Sequence, residues 1–440
     1  MENDELRRKM TLYGLTMVAV GASIGSGIFL TPSDIASELP NVWWIVGIWT
    51  LGGIISLTGA LTYGELGAMF PKAGGVYVYI REAFGDLVGF LYGWVMLLVV
   101  TSGSIAALAV AFCLYAKKIF PGLELVSDQI LGSIVIVLLT IFNIRGVQVG
   151  QLISNIFTSA KLIGIFLIIV LGIFWGTAPV FPEDTTLPVT DIATACSTAL
   201  IGVLWSYGGW HHTASLAGEA PDAANKVPRA MILGSIIVIV IYILANIAYV
   251  KMLSLERLMV SKAVATDALS QVWSGASFLV ACLIVLSTFG TMSIYTMTAP
   301  RIYYAMAKDG IFFKQLASIH PKYKTPHVAI LIQSGWSIVL LLFWGTFNNL
   351  ITYVTFIDWI FLMMAAIAIF VFRQRKVPKL SNYTVPGYPI TPIIFILISL
   401  WFLISTLVEK PVQAVAGLIV LGLGLILYYF IHKFLTKEQH

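Results

Sequence analysis

Three features of the sequence could do chemistry, and each depends on lying at membrane depth. Lys161 stands inside the apolar run 150–175. Two stretches, Gly21-Ala22-Ser23-Ile24-Gly25-Ser26-Gly27 and Trp205-Ser206-Tyr207-Gly208-Gly209-Trp210, interrupt other apolar runs, and Asp358 sits in Phe356-Ile357-Asp358-Trp359 of a further one. A lone lysine near the centre of a span costs about 2.5–3.5 kcal/mol on insertion scales, so its charge must face protein and do something there. Glycine costs about 1 kcal/mol against alanine in a helix interior, so the two clusters mark places where a helix gives way. A broken helix presents unpaired carbonyls where one half ends and unpaired N–H groups where the next begins. The N–H end attracts a carboxylate, and the carbonyl end suits an ammonium. With donors near Gly25 and acceptors near Ser23 and Trp205, the two breaks set side by side would form a receptor for a zwitterion, and an α-amino acid carries both charges on one carbon.

The elements that must position these residues follow from composition. The chain has 440 residues, 59% hydrophobic and 11% charged, where a soluble domain has about a quarter charged. A crossing helix takes about 20 apolar residues. Twelve runs qualify: 12–36, 41–70, 84–117, 127–144, 150–175, 191–218, 228–253, 274–306, 326–345, 347–373, 388–409 and 411–435. The sequence therefore predicts an all-α integral membrane protein with about twelve crossings in a single domain spanning 1–440. Runs one and six, which carry the glycine clusters, correspond if the first ten crossings form two five-helix halves, 12–175 and 191–373, followed by two extra helices over 388–435. Interrupted helices in matching positions of two halves point to an inverted repeat with a midplane site. The first run is long and has no small-residue cleavage site, so it is read as a helix and not as a removed signal peptide.

Of the 26 Lys and Arg residues, nineteen fall on the side of the termini and six on the other, leaving Lys161 inside a span. The positive-inside rule then puts both termini in the cytoplasm. The formal net charge of +5 reports orientation and not nucleic-acid binding. Cys113, Cys196 and Cys282 all lie in apolar runs, which supports neither a disulfide framework nor a metal cluster. Adjacent His211 and His212 point about 100° apart on a helix and cannot chelate one ion together. No metal or cofactor is expected. An embedded enzyme would need clustered nucleophile and base sets, and a channel would need rings of like residues. The sequence offers one pair of breaks and isolated charges, although a channel or receptor remains the alternative from another class.

The strings GASIGSGIF at Gly21–Phe29, YGELGAMFPKAGGVYVYIREAFG at Tyr63–Gly85, SYGGW at Ser206–Trp210, KVPRA at Lys226–Ala230 and STFGTMSIYTMTAPRIYYAMAKDG at Ser287–Gly310 together resemble the amino acid–polyamine–organocation superfamily. Within it they are most similar to the L-type amino acid transporters and their bacterial relatives. The resemblance runs over essentially the whole chain. It implies a LeuT-type five-plus-five inverted repeat with helices 1 and 6 broken, moving amino acids across the plasma membrane by alternating access.

Carried onto this sequence, the resemblance places the substrate carboxylate on the N–H groups of Gly25, Ser26 and Gly27. The amine falls among Ser23, Trp205 and Gly208, and Trp205 becomes the aromatic gate closing over substrate. By its volume, that tryptophan favours small side chains. The string TSAKL at Thr158–Leu162 resembles the fifth helix of the branch, whose lysine takes the place of a sodium ion, with Tyr242 linked toward it. Sodium-independent exchange of small neutral L-amino acids is the implied function, with proton symport the alternative, since a desolvated ammonium can shed its proton. Asp358 departs from the branch, where an amide commonly stands, and is a polar candidate for the side-chain pocket. Glu65, Arg81 and Glu82 read as conformational salt bridges. The branch's animal members are joined to a heavy chain by a cysteine between helices 3 and 4. The corresponding loop, Lys117–Gln129, has none, so no such partner is expected.

Overall fold

The computed structural model describes residues 6–179, 192–343 and 347–437, and among them the chain is helical with no strand. Parts of the expected spans at 191 and at 344–345 lie outside the described residues. The first run forms two rods, α1 (Leu12–Ser23) and α2 (Gly27–Glu38), with Thr11 capping α1 by accepting from the Gly14 N–H. Then come α3 (Val42–Met69), α4 (Val76–Phe84) and α5 (Asp86–Val95). A π turn, Met96–Val100, joins α5 to α6 (Thr101–Ile119), and α7 (Asp128–Ile144) and α8 (Val147–Trp175) follow. The sixth run opens as α9 (Ile192–Tyr207) but continues as a 3-10 helix, Trp210–Glu219, so its second half is more tightly wound than the α-helix expected there. After α10 (Ala223–Leu253), two short helices, α11 (Leu255–Val260) and α12 (Val264–Ser270), occupy what the sequence left as a connection. The run 274–306 divides at Pro300 into α13 (Ala276–Thr298) and α14 (Pro300–Lys308). The chain ends with α15 (His327–Phe343), α16 (Phe347–Gln374), α17 (Ile390–Glu409) and α18 (Pro411–Lys437).

Among the described residues, nine helices or closely broken helix pairs are long and apolar enough to cross a membrane. Three shorter apolar helices, Asp128–Ile144, His327–Phe343 and Ala414–Phe430, accompany them. The outer faces are apolar as a bilayer requires: Phe166 is 66% exposed and Ile163 69% on the same helix that buries Lys161 completely. Polar residues turn inward. In the bundle α1 packs against α10, α8 and α13, α2 against α9, and α3 along α10, which brings both interrupted runs to the middle.

Ion pairs fasten the ends of these helices. Glu219 at the end of the 3-10 helix and Arg301 of α14 are both fully buried, with Nη2–Oε1 at 2.9 Å and Nε–Oε2 at 3.3 Å. The Glu219 carbonyl also accepts the Met10 N–H, pinning the chain just before α1. Glu65 of α3 takes a two-pronged contact from Arg373 of α16, at 3.0 and 2.7 Å, and a third bond from the Val385 N–H. Arg81 pairs with Asp86 and Asp309 rather than serving a bridge at its neighbour Glu82. Successive helical residues diverge by about 100°, and the Glu82 backbone carbonyl instead accepts from Arg375. Removing one partner of a fully buried pair costs about 3–5 kcal/mol. Arg373 keeps 29% side-chain exposure, so Glu65→Leu is expected to cost about 2 kcal/mol and to lower the melting temperature in detergent. A melting curve superimposable on that of the parent would refute this.

Candidate functional site

The first break is short. α1 ends at Ser23, Ile24 to Ser26 leave the helical path, and α2 resumes at Gly27. The first N–H groups of a helix have no carbonyl one turn behind them, so Gly27, Ile28 and their Ser26 cap open α2 as free donors. Gly25 differs from expectation. Its N–H donates to the Ser23 carbonyl at 2.9 Å, which withdraws it from the proposed carboxylate cradle. The Ser26 hydroxyl is fully buried and has no hydrogen-bond partner among the described residues, a costly arrangement for a hydroxyl away from water.

The second break lies against the first, and two glycines permit it. A Cβ on Gly27 would fall 2.3 Å from Ser206 Oγ, and one on Gly209 would fall 2.6 Å from the carbonyl carbon and oxygen of Ala22. Gly209 also has φ +104°, a region that residues with a Cβ rarely adopt. The Tyr242 hydroxyl of α10 sits between the breaks, 2.9 Å from the Ser23 carbonyl and 3.0 Å from the Ser206 carbonyl. The hydroxyl is thus turned to these two carbonyls. With the Gly25 N–H and Tyr242 both on Ser23, and the Gly208 N–H on the Trp205 carbonyl at 3.3 Å, two of the carbonyls expected for a substrate amine already have donors. Tyr242→Phe removes one neutral hydrogen bond, worth about 1 kcal/mol. Uptake should fall about fivefold, a change of the size that 1 kcal/mol allows; unchanged initial rates would remove the tyrosine from the site.

Lys161 reaches the first break from behind. Its Nζ, with three N–H to share, has four oxygens within hydrogen-bonding range: the Gly21 carbonyl at 3.0 Å, the Ile24 carbonyl at 2.6 Å, Thr291 Oγ1 at 3.0 Å and the Ser287 carbonyl at 3.4 Å. All four are neutral oxygens, two from the end of α1 and its break and two from α13. Thr291 and Ser287 also donate their own hydroxyls to the same region, at Gly21, Ile24 and Gly25. The ammonium thereby ties α8, α1 and α13 together through oxygens arranged as a small cation would gather them.

A cavity lies against the second break. Trp205, Gly208 and Gly209 line it together with His211, His212, Tyr295, Asp358 and Trp359, and its volume is about 20 Å³, roughly one water molecule. Trp205, Gly208 and Asp358 are therefore together, while Ser26 and Gly27 lie outside this lining, beyond the seam. In the structure His211 and His212 stack at 4.5 Å between centroids, and His211 Nε2 lies 4.0 Å from Asp358 Oδ2.

A helical membrane protein with two interrupted helices meeting at buried depth has the build of a solute carrier. The amino acid permease family model matches residues 10–430, and the chain belongs to that family. It is similar over 98% of its length, at 32% identity, to 98% of the serine/threonine exchanger SteT of Bacillus subtilis (strain 168). It is 30% identical to the b(0,+)-type amino acid transporter 1 of Mus musculus, covering 98% of this chain and 89% of the relative. It is 32% identical to the mouse large neutral amino acids transporter small subunit 2, covering 96% of this chain and 81% of the relative. The chain is an amino acid transporter of the amino acid–polyamine–organocation superfamily, a multi-pass membrane protein and not an enzyme.

Proposed function

We propose that this transporter exchanges small neutral L-amino acids across the plasma membrane by alternating access, without sodium. The observation that carries the reading is Lys161 Nζ on the carbonyls of Gly21 and Ile24 and on Thr291, a tethered cation where a free one would otherwise be held. The unpartnered Ser26 hydroxyl and the opening N–H groups of α2 suit the substrate carboxylate, with Gly25 contributing through its backbone turn. The amine belongs near Ser23, Trp205 and Gly208, once a donor now on one of those carbonyls moves aside. Trp205 is the gate, and Tyr242 holds the two breaks in register. The small cavity bounded by Trp205 and Trp359 favours short side chains, and the relative named as a serine/threonine exchanger agrees with both exchange and size.

Nine crossing-length helices and three shorter apolar ones fit twelve crossings, arranged as a five-plus-five inverted repeat over 12–175 and 191–373 with two further helices. The Lys and Arg distribution favours cytoplasmic termini. No disulfide-linked heavy chain is required, since the loop Lys117–Gln129 has no cysteine.

The test is counterflow in proteoliposomes. Labelled L-amino acid should enter only when unlabelled amino acid is inside, equally with and without sodium, and with no response to an imposed pH gradient. Accumulation driven by a pH gradient would replace exchange with proton symport. Flux that rises linearly with concentration would overturn the carrier reading.

A further inference from the structure

Next to the seam of the two breaks lies a pair of ionisable side chains that face each other without bonding. His211 is 2% exposed, and neither of its ring nitrogens has a hydrogen-bond partner among the described residues. Facing it, Asp358 has its Oδ1 buried and likewise unpartnered. The closest approach, His211 Nε2 to Asp358 Oδ2, is 4.0 Å, beyond hydrogen-bond range but short enough for one oxygen atom to touch both. Ionisable groups at membrane depth normally find partners in the protein, and unmet buried polar atoms are rare enough in folded proteins to require a reason.

The neighbourhood is rigid and aimed at the cavity. His212 stacks on the His211 ring, bonds Thr298 Oγ1 through Nδ1 at 3.4 Å, and packs at a tilt against Tyr295 with centroids 4.6 Å apart. Tyr295 donates its hydroxyl to the Ala22 carbonyl at 3.3 Å, so the stack is fastened to the end of α1. Trp210 packs in a T-shaped contact with His211, ring centroids 5.6 Å apart. His211 is thus held by two rings, and its Nε2 faces Asp358 of α16. The cavity that His211 and Asp358 share is bounded by Gly208 and Gly209, and Gly209 is the residue that rests on Ala22. A substrate whose α-carbon sits at the seam would direct its side chain toward the edge at which the two groups face each other, where one oxygen can touch both.

We infer that His211 and Asp358 form the side-chain subsite, and that it selects amino acids whose short side chain carries a hydroxyl over those with an alkyl group of the same size. This rests on the amino acid site proposed above. An imidazole always carries at least one N–H and a carboxyl always keeps an acceptor oxygen, so the pair offers at least one donor hydrogen and at least one acceptor. A hydroxyl is both donor and acceptor and satisfies the two at once. A methyl in its place leaves both unmet, and a site built to bond a hydroxyl discriminates against the analogue without it far more strongly than an apolar pocket discriminates by size. Trp205 and Trp359 limit the length of what can enter.

The full-length protein in detergent and in proteoliposomes tests this with two matched pairs, serine against alanine and threonine against valine. Half-saturating concentrations are read from thermal stabilisation and from competition with labelled serine. Threonine should act at a concentration at least about tenfold lower than valine, in keeping with the discrimination of a hydroxyl-bonding site, and serine should lead alanine likewise. The doubly apolar variant, His211→Leu with Asp358→Leu, should reduce both ratios to less than about threefold, the level of size discrimination alone. A wild-type protein that binds amino acids but treats threonine and valine alike overturns the subsite, whatever the variant does. A folded double variant that keeps the tenfold preference overturns it as well. If none of the twenty amino acids stabilises or competes, the amino acid site itself fails and the subsite fails with it, an outcome plainly separate from the other two.

Discussion

Lys161→Ala is expected to lower exchange about a hundredfold while weakening amino acid binding less than tenfold. The ammonium makes four contacts to oxygens of α1, its break and α13. Hydrogen bonds to charged groups contribute about 1.5–3 kcal/mol each, and every 1.4 kcal/mol is tenfold. Losing two of the stronger contacts would uncouple the break from α13 by about 3 kcal/mol, enough for the hundredfold effect. Binding should suffer less because Lys161 is outside the cavity bounded by Trp205, His211 and Asp358. Counterflow rates set beside thermal stabilisation by the same amino acid separate the two effects. A variant that binds a hundredfold more weakly yet turns over normally at saturation would mean that the lysine touches substrate. Arginine should not substitute, because its planar fork cannot gather four oxygens around one nitrogen.

The second large effect belongs to a residue with no side chain. Gly209→Ala places a methyl 2.6 Å from the Ala22 carbonyl and 2.9 Å from the Ser23 nitrogen at φ +104°. Strained backbone costs about 1–3 kcal/mol and forced overpacking about another 1–3 kcal/mol. A loss of about 3–4 kcal/mol is expected, seen as a marked drop in melting temperature with uptake reduced more than tenfold. Gly47→Ala is the control, since a methyl there meets nothing within 4 Å and should be neutral or slightly stabilising. Equal behaviour of the two variants would show that the seam tolerates separation.

What could be read from the sequence follows the range of the interaction. The interruptions at Gly21–Gly27 and Trp205–Trp210 were legible because glycine marks the chain locally, and Lys161 because a charge in an apolar run has a known cost. Which atoms meet across the fold was not legible in spacing. That Gly27 touches Ser206 and Gly209 touches Ala22 depends on the packing of α2 and α9, far apart in the chain. Nothing local to His211 announces that it faces Asp358 on α16. The 3-10 winding of Trp210–Glu219 was missed because apolar periodicity does not distinguish it from an α-helix over so short a stretch. Arg81 was read with its neighbour although its partners, Asp86 and Asp309, include one on a distant segment.

The seam between the two breaks is largely main chain, with carbonyls of Ala22 and Ser23, the turn at Gly25 and glycines at 27 and 209, joined by the hydroxyls of Ser26, Ser206 and Tyr242. The opposite faces of the cavity are side chains. This division separates what every amino acid has in common from what distinguishes one from another. A designer or a lineage seeking a new cargo has little to alter in the seam, where a Cβ on Gly27 or Gly209 collides with the facing break, and much to alter at Trp205, His211, Asp358 and Trp359. Diversification of such a carrier is therefore concentrated in the side chains that line the cavity, and a handful of exchanges there can change its diet without rebuilding the machinery that moves it.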